Sequence, residues 1–190
     1  EDPDPEDDAW REHADDEGPY NGDPYFHGIN SVRGAVAEAV AALLFGDAER
    51  FPLLEALTER LLTDPMASVR SCAANILTGL LNRDETLAVS SFLRLIDTDD
   101  AILATAPVEE FIRYAAYRDV TRVRPVLERM LDSASDKVAQ AGARQACLAA
   151  LSDMIAQPLA EQALAGRVAH RLGAAEVYTR NIATAAVRTV

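Results

Sequence analysis

The chain has 190 residues, about half of them apolar and few aromatic, and a formal net charge of −13. This length suits a single domain with a sizeable core. Residues 1–23 hold eleven acidic residues and one arginine, so they contribute −10 and leave −3 for the rest of the chain. An acidic protein lacks the positive surface field that nucleic acid requires, which argues against nucleic acid as its main partner.

Targeting features and cysteine usage indicate the cellular compartment of the protein. The sequence has no signal peptide and no apolar run long enough to span a bilayer. Cys72 and Cys147 fall on apolar faces of different predicted helices, so we interpret them as buried free thiols. These features predict a cytoplasmic protein with no membrane contact. Because the chain starts at Glu1 without methionine, we interpret it as part of a longer protein.

Residues 1–24 form an acidic segment that also contains proline. Such a composition offers little apolar surface to offset the entropy of ordering, and it is typical of disorder. Yet Trp10, Tyr20, Tyr25 and Phe26 lie in this segment or beside it. Two interpretations therefore stay open, a solvated linker or a cap that docks on the first helical hairpin. Residues 25–190 are predicted to be the helical domain, since alanine is abundant and β-branched runs are absent.

The first strong helix is predicted to begin after Asn30 or Ser31, either of which suits an N-cap. Gly46 is placed to end this helix at the C′ position. The apolar residues between them recur at helical spacing and predict one buried stripe: Val32, Ala35, Val36, Ala39, Val40, Leu43 and Leu44.

The range 61–81 shows the same pattern most clearly. One helix ends at Asp64-Pro65, because proline lacks a donor and disfavours the α conformation in the residue before it. The next helix has an apolar stripe at Val69, Cys72, Ala73, Ile76, Leu77, Leu80 and Leu81. Similar stripes start at positions 108, 139 and 168. The stripe at 139 is complete but built mostly of small residues, and those at 108 and 168 are incomplete. The starts lie 29 to 39 residues apart, which predicts a repeat of two helices.

Shorter apolar segments alternate with these helices and are predicted to be their hairpin partners. They span 51–62, 87–96, 123–131 and 159–164. Pro52 suits the first turn of its helix. Residues 119–124, followed by Pro125, predict a bent or restarted helix, and Gly166 is predicted to end the last segment.

The residues Leu61-Leu62, Asp64-Pro65, Val69-Arg70, Ala73-Ala74 and Leu77 resemble the HEAT repeat, in the short HEAT-like form common in bacterial proteins. A second match begins at Asn30-Ser31-Val32-Arg33. The resemblance covers about 28–180 and implies an all-α fold, a right-handed α-solenoid of about four HEAT-like hairpins. It also implies that Arg33 and Arg70 pair with the turn aspartate of a neighbouring unit, Asp64 or Asp47. We therefore expect a structural role between repeats for Arg33, Asp64 and Arg70.

The sequence offers no candidate catalytic residue, metal ligand or cofactor site. His13, His27 and His170 are scattered without the partners that a metal site needs. Phosphate-binding glycine loops and the common hydrolase and metalloprotease motifs are absent from the sequence. We therefore predict that the protein is not an enzyme.

One local cluster is basic and aromatic. Its candidate binding residues are Arg113, Tyr114, Tyr117, Arg118, Arg122 and Arg124, with Arg129 nearby. We favour a non-catalytic protein–protein interaction scaffold, an auxiliary module of a larger bacterial multidomain protein, whose partner the sequence does not identify. The alternative is nucleic-acid binding through the patch from Arg113 to Arg129. A third reading is a lyase-like or repair enzyme of HEAT-like fold.

Overall fold

The structure is a computed structural model, and it describes residues 22–97 and 99–188, the side chains of 182–188 excepted. The predicted acidic segment, with Trp10 and Tyr20, lies almost entirely outside these residues. Every regular element within them is helical. The α-helices are α1 Pro24–Ile29, α2 Val32–Gly46, α3 Phe51–Leu62, α4 Ala67–Leu80, α5 Glu85–Ile96, α6 Ala106–Asp132, α7 Asp136–Ala150, α8 Gln157–Ala165 and α9 Val168–Arg188.

Short polar side chains begin the helices where the sequence predicts a start. The Ser31 hydroxyl accepts a hydrogen bond from the Gly34 amide, and Asp84 accepts one from the Leu87 amide. Such caps satisfy amides that have no partner inside the helix. Asp47, Asp99 and Asp153 each cap a short 3₁₀ turn in the same way. The prediction of an N-cap at Ser31 is confirmed.

The chain divides into two compact units, the first ending at Phe111 and the second beginning at Ile112. In the first unit α4 lies at the centre and packs against α1, α2, α3 and α5. All of its residues except Asn75 are buried. Gly79 permits the close approach of α4 to α2, because a β-carbon at this position would lie 3.2 Å from the Leu44 β-carbon. The predicted core stripe of α4 is confirmed.

In the second unit α7 packs against α8 and α9, and α8 packs against α9. The α7 face that makes these contacts is rich in alanine and glycine, and most of it is buried. Small residues let helix backbones approach closely. A β-carbon on Gly142 would lie 2.6 Å from that of Met130, and one on Gly173 would meet the Gln140 carbonyl oxygen.

The predicted stripe of α2 is wrong by about one residue. The buried residues are Gly34, Ala37, Val40, Ala41 and Leu44, so Val40 and Leu44 are the members of the predicted stripe that are buried. α2 buries the face that meets α4, and a small-residue face serves there because Gly79 brings the two helices close together. The larger residues of the predicted stripe remain exposed.

The stripe predicted for α9 is displaced in the same way. Ala169, Ala174 and Val177 are buried, whereas Val168 and Leu172, which belong to the predicted stripe, are exposed. Gly46 also differs from its prediction. It is the last residue of α2 and does not have a positive φ angle, and the helix is followed by Asp47 in an extended conformation.

Two local features refine the predicted hairpins. α6 is interrupted at Asp119, whose backbone is extended (φ −157°, ψ 98°), so the predicted bend occupies one residue. Helix α1 was not predicted from the sequence. Asp23 caps it through the Tyr25 amide, and Pro24 occupies its first turn. This Asp-Pro pair is the signal that could have revealed it.

Candidate interaction surfaces

The three residues predicted to link repeats meet at the turn between α3 and α4. Arg33 Nη1 lies 3.2 Å from Asp64 Oδ2. The other carboxylate oxygen of Asp64 accepts a hydrogen bond from the Met66 amide at 2.9 Å. Arg70 Nη1 donates to the carbonyl oxygens of Asp64 and Pro65 at 2.6 and 2.9 Å. Asp64 is buried, so this cluster holds the turn in place from within.

The two candidate aspartates differ in their partners. Asp64 pairs with Arg33 of the preceding hairpin, whereas Arg70 bonds the backbone carbonyl of Asp64 rather than its carboxylate. Asp47 caps its own turn by accepting from the Glu49 amide at 3.1 Å, and it lies 3.7 Å from Arg50. The geometry therefore favours Asp64 over Asp47 as the aspartate that joins successive hairpins.

Polar side chains also join neighbouring hairpins of the first unit. Asn75 Nδ2 donates to Glu38 Oε1 at 2.9 Å, 37 residues apart in sequence. Arg83 pairs with Glu49 at 2.8 Å, and Arg94 binds Glu59 through two hydrogen bonds of 2.8 and 3.1 Å. The hydrogen bonds and charge of Glu59 raise the pKa of Arg94. These pairs are 34 and 35 residues apart in sequence.

The second unit has equivalent pairs. Arg144 Nη1 and Gln140 Nε2 donate to the two carboxylate oxygens of Glu176 at 2.5 and 2.6 Å. Partial burial acts to raise the pKa of Glu176, but these hydrogen bonds, together with the charges of Arg144 and Arg180, outweigh it and hold that pKa below its ordinary value. Arg167 pairs with Asp136 and donates to backbone carbonyls of the turn before α7. Separations of 31 to 36 residues recur in this unit.

The outward face of α2 is apolar throughout. Its exposed residues include Val32 at 59%, Val36 at 36% and Leu43 at 42% of their full exposure. Alanines fill the positions between them, and the charged residues of the helix, Arg33 and Glu38, are half-buried and pair with other elements. Sequence reasoning placed this stripe in the core. The feature of the sequence that could have indicated an apolar surface is that α2 has no charged residue besides Arg33 and Glu38.

The basic and aromatic patch lies on α6, on both sides of the interruption at Asp119. Tyr114 and Tyr117 are 45% and 78% exposed, and the Arg113 guanidinium lies 5.0 Å from the centre of the Tyr114 ring. Arg118 is exposed and follows directly. The structure therefore brings the first four patch residues onto one exposed stretch of helix.

The remaining patch residues, Arg122 and Arg124, are less available for contact with a partner. Arg124 Nε pairs with Glu128 at 2.8 Å. Arg122 is partly buried and is close enough to Asp119 to help lower the pKa of that carboxyl, which hydrogen bonds from Thr121 lower more strongly. Acidic side chains thus lie among the arginines and reduce the positive field that nucleic-acid binding needs.

Both cysteines are buried, and His170 caps a helix. Cys72 and Cys147 are buried free thiols, and burial raises the pKa of the Cys72 thiol to about 12, so thiolate chemistry is suppressed there. His170 caps the start of α9, where its Nδ1 accepts from the Arg167 amide at 3.1 Å and its Nε2 lies 2.7 Å from the Leu131 carbonyl oxygen.

The part of the chain that the structure describes contains neither a candidate metal site nor a candidate membrane span. It holds no group of three or more acidic, histidine or cysteine side chains that could bind a metal ion. None of its helices combines the length and apolar character that crossing a membrane demands.

Comparison with protein-family models, with curated proteins and with solved structures gave no match. The resemblance to HEAT repeats therefore depends on the residues of this chain alone.

Proposed function

We propose that the chain is a HEAT-like helical-repeat scaffold, without catalytic activity, that recognises a protein partner through the exposed face of α2. In this proposal the hairpins stack as repeats of a right-handed α-solenoid. Their inner helices are α2, α4, the first part of α6, α7 and α9.

The spacing of cross-hairpin contacts supports the repeat. Sequence patterns start 29 to 39 residues apart, and the side chains that join neighbouring hairpins are 31 to 37 residues apart within each unit. Stacked repeats have this property because each position of one repeat meets a related position of the next. The packing of α2 on α4 and of α7 on α9 agrees with contacts between successive inner helices.

The observation that carries the function is the apolar face of α2. Exposed apolar side chains are common singly, but a continuous face without an exposed charge is typical of a site that another surface covers. Val32, Val36 and Leu43 lie on this face with alanines between them. Such an exposed face of valine, leucine and alanine suits an apolar helix or a similar surface of a partner protein.

A co-purification experiment with the full chain tests the proposal. The variant V36E with L43E places two charges on the α2 face, where the native side chains are 36% and 42% exposed. The variant L164E is a matched control, because Leu164 is an exposed leucine of α8. Lysate from the source cells would be treated with nuclease, and retained proteins would be identified by mass spectrometry.

We expect a protein that wild type and L164E retain and that V36E with L43E loses. The interaction would then be reproduced with the purified partner by calorimetry. If all three baits retain the same proteins, the α2 face is not the recognition surface. If removal of residues 1–21 from the chain is needed before any partner binds the α2 face, that segment covers it.

A further inference from the structure

The helix α9 of the second unit has an exposed apolar face, as α2 has in the first. Val168 and Leu172 lie one turn apart on α9 and are 61% and 52% exposed. Ala175 extends this face by one more turn. Other residues of α9, Gly173 and Glu176, contact α7. Among the described residues, the face of Val168 and Leu172 is therefore not covered by a helix.

The chain itself shows what kind of surface covers such a face. Within the first unit α4 packs along α2, and within the second unit α9 packs along α7. Each contact places a glycine, Gly79 or Gly173, against the neighbouring helix. In a helical-repeat protein the outer faces of the terminal repeats are polar when they meet solvent. The apolar faces of α2 and α9 belong to the first and last hairpins of the proposed repeat, so a further helix is the expected neighbour of each.

The net charges of the two units have opposite signs. The unit that ends at Phe111 holds 24 acidic and seven basic residues, so its formal charge is −17. Without residues 1–21 this charge is still −8. The unit that begins at Ile112 holds seven acidic and eleven basic residues, so its formal charge is +4. Electrostatics therefore favours contact between the first unit of one copy and the second unit of another, and opposes contact between two first units.

Local charges agree with this pairing. The exposed residues of α2 include no charged side chain, and the exposed charged residues that the structure describes on α9 are Arg171 and Arg180. A basic helix face thus accompanies the apolar side chains of α9, while the unit that carries α2 is acidic.

We propose that the partner of the α2 face is a second copy of this chain, which docks through Val168 and Leu172 of its α9. Large side chains of α9 then pack over the alanines that lie between Val36 and Leu43 of α2. Because two different faces meet, the other face of each copy stays available, and copies add as a ring or as a chain. This inference rests on the proposed function, since it names the partner of the same face.

Sedimentation velocity of the purified full chain tests the proposal. One pair of helix faces is smaller than the roughly 800 Å² per partner that a stable interface buries, so we expect weak association. The chain is therefore studied between about 0.01 and 1 mM, which covers dissociation constants typical of weak complexes.

Two variants each block one face. V36E with L43E places negative charges on α2 of the acidic unit, and V168K with L172K places positive charges on α9 of the basic unit. Both changes increase the long-range attraction between unlike units. Loss of association in either variant therefore reports the lost apolar contact, because a charge buried in an apolar interface is costly.

The controls carry the same charges elsewhere. L93E and L151K alter exposed leucines of the first and second unit that lie outside the two faces. Circular dichroism verifies that every variant folds. The single variants L43E and L172K replace a double variant that does not fold.

We expect wild type, L93E and L151K to form larger species as the concentration rises. Each blocked variant alone should associate at least about tenfold more weakly. An equimolar mixture of the two blocked variants should form a dimer, because the first retains the α9 face and the second retains the α2 face. This mixture should not grow beyond the dimer, since its other two faces are blocked.

Wild type that stays monomeric at about 1 mM would overturn the proposal. Failure of the two folded variants to associate when mixed would overturn it as well. Loss of association in V36E with L43E, but not in V168K with L172K, would exclude α9 as the docking element. If the purified chain is monomeric but a different protein from the lysate binds the α2 face, the protein-recognition proposal stands and only the second copy is excluded as its partner.

Discussion

At the residue scale, glycines decide how closely the helices pack. Gly79 and Gly142 both face a neighbouring element at a distance that leaves little or no room for a side chain. A glycine inside a helix costs about 1 kcal/mol relative to alanine. The closer packing that each one permits offsets this cost. The neighbour of Gly142 includes backbone atoms of Met130 and Leu131, which cannot move aside as a flexible side chain would.

We predict that G142A destabilises the protein. Its new β-carbon would lie 2.6 Å from the Met130 β-carbon and 3.0 Å from the Met130 carbonyl carbon, and overpacking of this kind costs about 1–3 kcal/mol. Urea unfolding measures the effect. G46A is the control, because nothing lies within 4 Å of its new methyl group, and alanine should add up to about 1 kcal/mol of stability. Equal stability of G142A and wild type would contradict the close packing described.

At the element scale, α7 and α9 are joined by one carboxylate that receives two side-chain donors. Glu176 on α9 accepts from Arg144 and Gln140, one turn apart on α7. Hydrogen bonds to a charged group are stronger than neutral ones. The side chain of Glu176 is about one-third exposed, so solvent screens part of this strength.

We predict that E176Q lowers the free energy of unfolding by about 0.5–1.5 kcal/mol at pH 7. The folded pKa of Glu176 is lowered from the ordinary 4.5, so the unfolded chain binds this proton more readily. The stabilisation is therefore present at pH values well above 4.5 and is lost as the pH falls through the folded pKa.

Urea unfolding of wild type and E176Q between pH 3 and pH 7 measures the difference. This difference in the free energy of unfolding should decrease as the pH falls from 7 toward 3. E161Q is the control, since Glu161 accepts from Gln157 of its own helix at 3.3 Å, and it should match wild type throughout. A difference between wild type and E176Q that stays constant with pH would refute an electrostatic origin.

At the scale of the whole molecule, charge distribution decides between classes of partner. The protein carries −13, most of it in residues 1–23. Long-range repulsion between this charge and the phosphates of DNA opposes association. The patch on α6 is local, and Asp119 and Glu128 lie among its arginines. Binding of a partner by the apolar face of α2, by contrast, does not depend on long-range electrostatic attraction.

We predict no retardation of duplex DNA by the full chain in an electrophoretic mobility assay at about 150 mM salt. The variant R122E with R124E should behave as wild type does. Retardation that disappears both at high salt and in this variant would instead support nucleic-acid binding through the patch. Retardation that the variant leaves unchanged would place nucleic acid elsewhere on the chain.

Much of the local structure followed from the sequence. Helix α3 spans its predicted range 51–62, and the stripes predicted to start at positions 69 and 139 begin within α4 and α7, because proline, capping side chains and apolar periodicity act over a few residues. The core stripe of α4 was also predictable, since α4 is enclosed by four other helices and buries nearly all of its residues. The resemblance to HEAT repeats and the function stay predictions.

Only the tertiary structure decided which faces are buried on α2 and α9. Periodicity identifies an apolar stripe, but a helix with a close neighbour on one side buries the face that fits that neighbour. On α2 the small residues fit against α4, and Val36 and Leu43 are left exposed. That Arg70 bonds to backbone carbonyl oxygens, and not to the Asp64 carboxylate, was equally unpredictable from the sequence. These bonds depend on where Asp64 directs its carboxylate and its carbonyl oxygen, and side chains distant in sequence settle that choice.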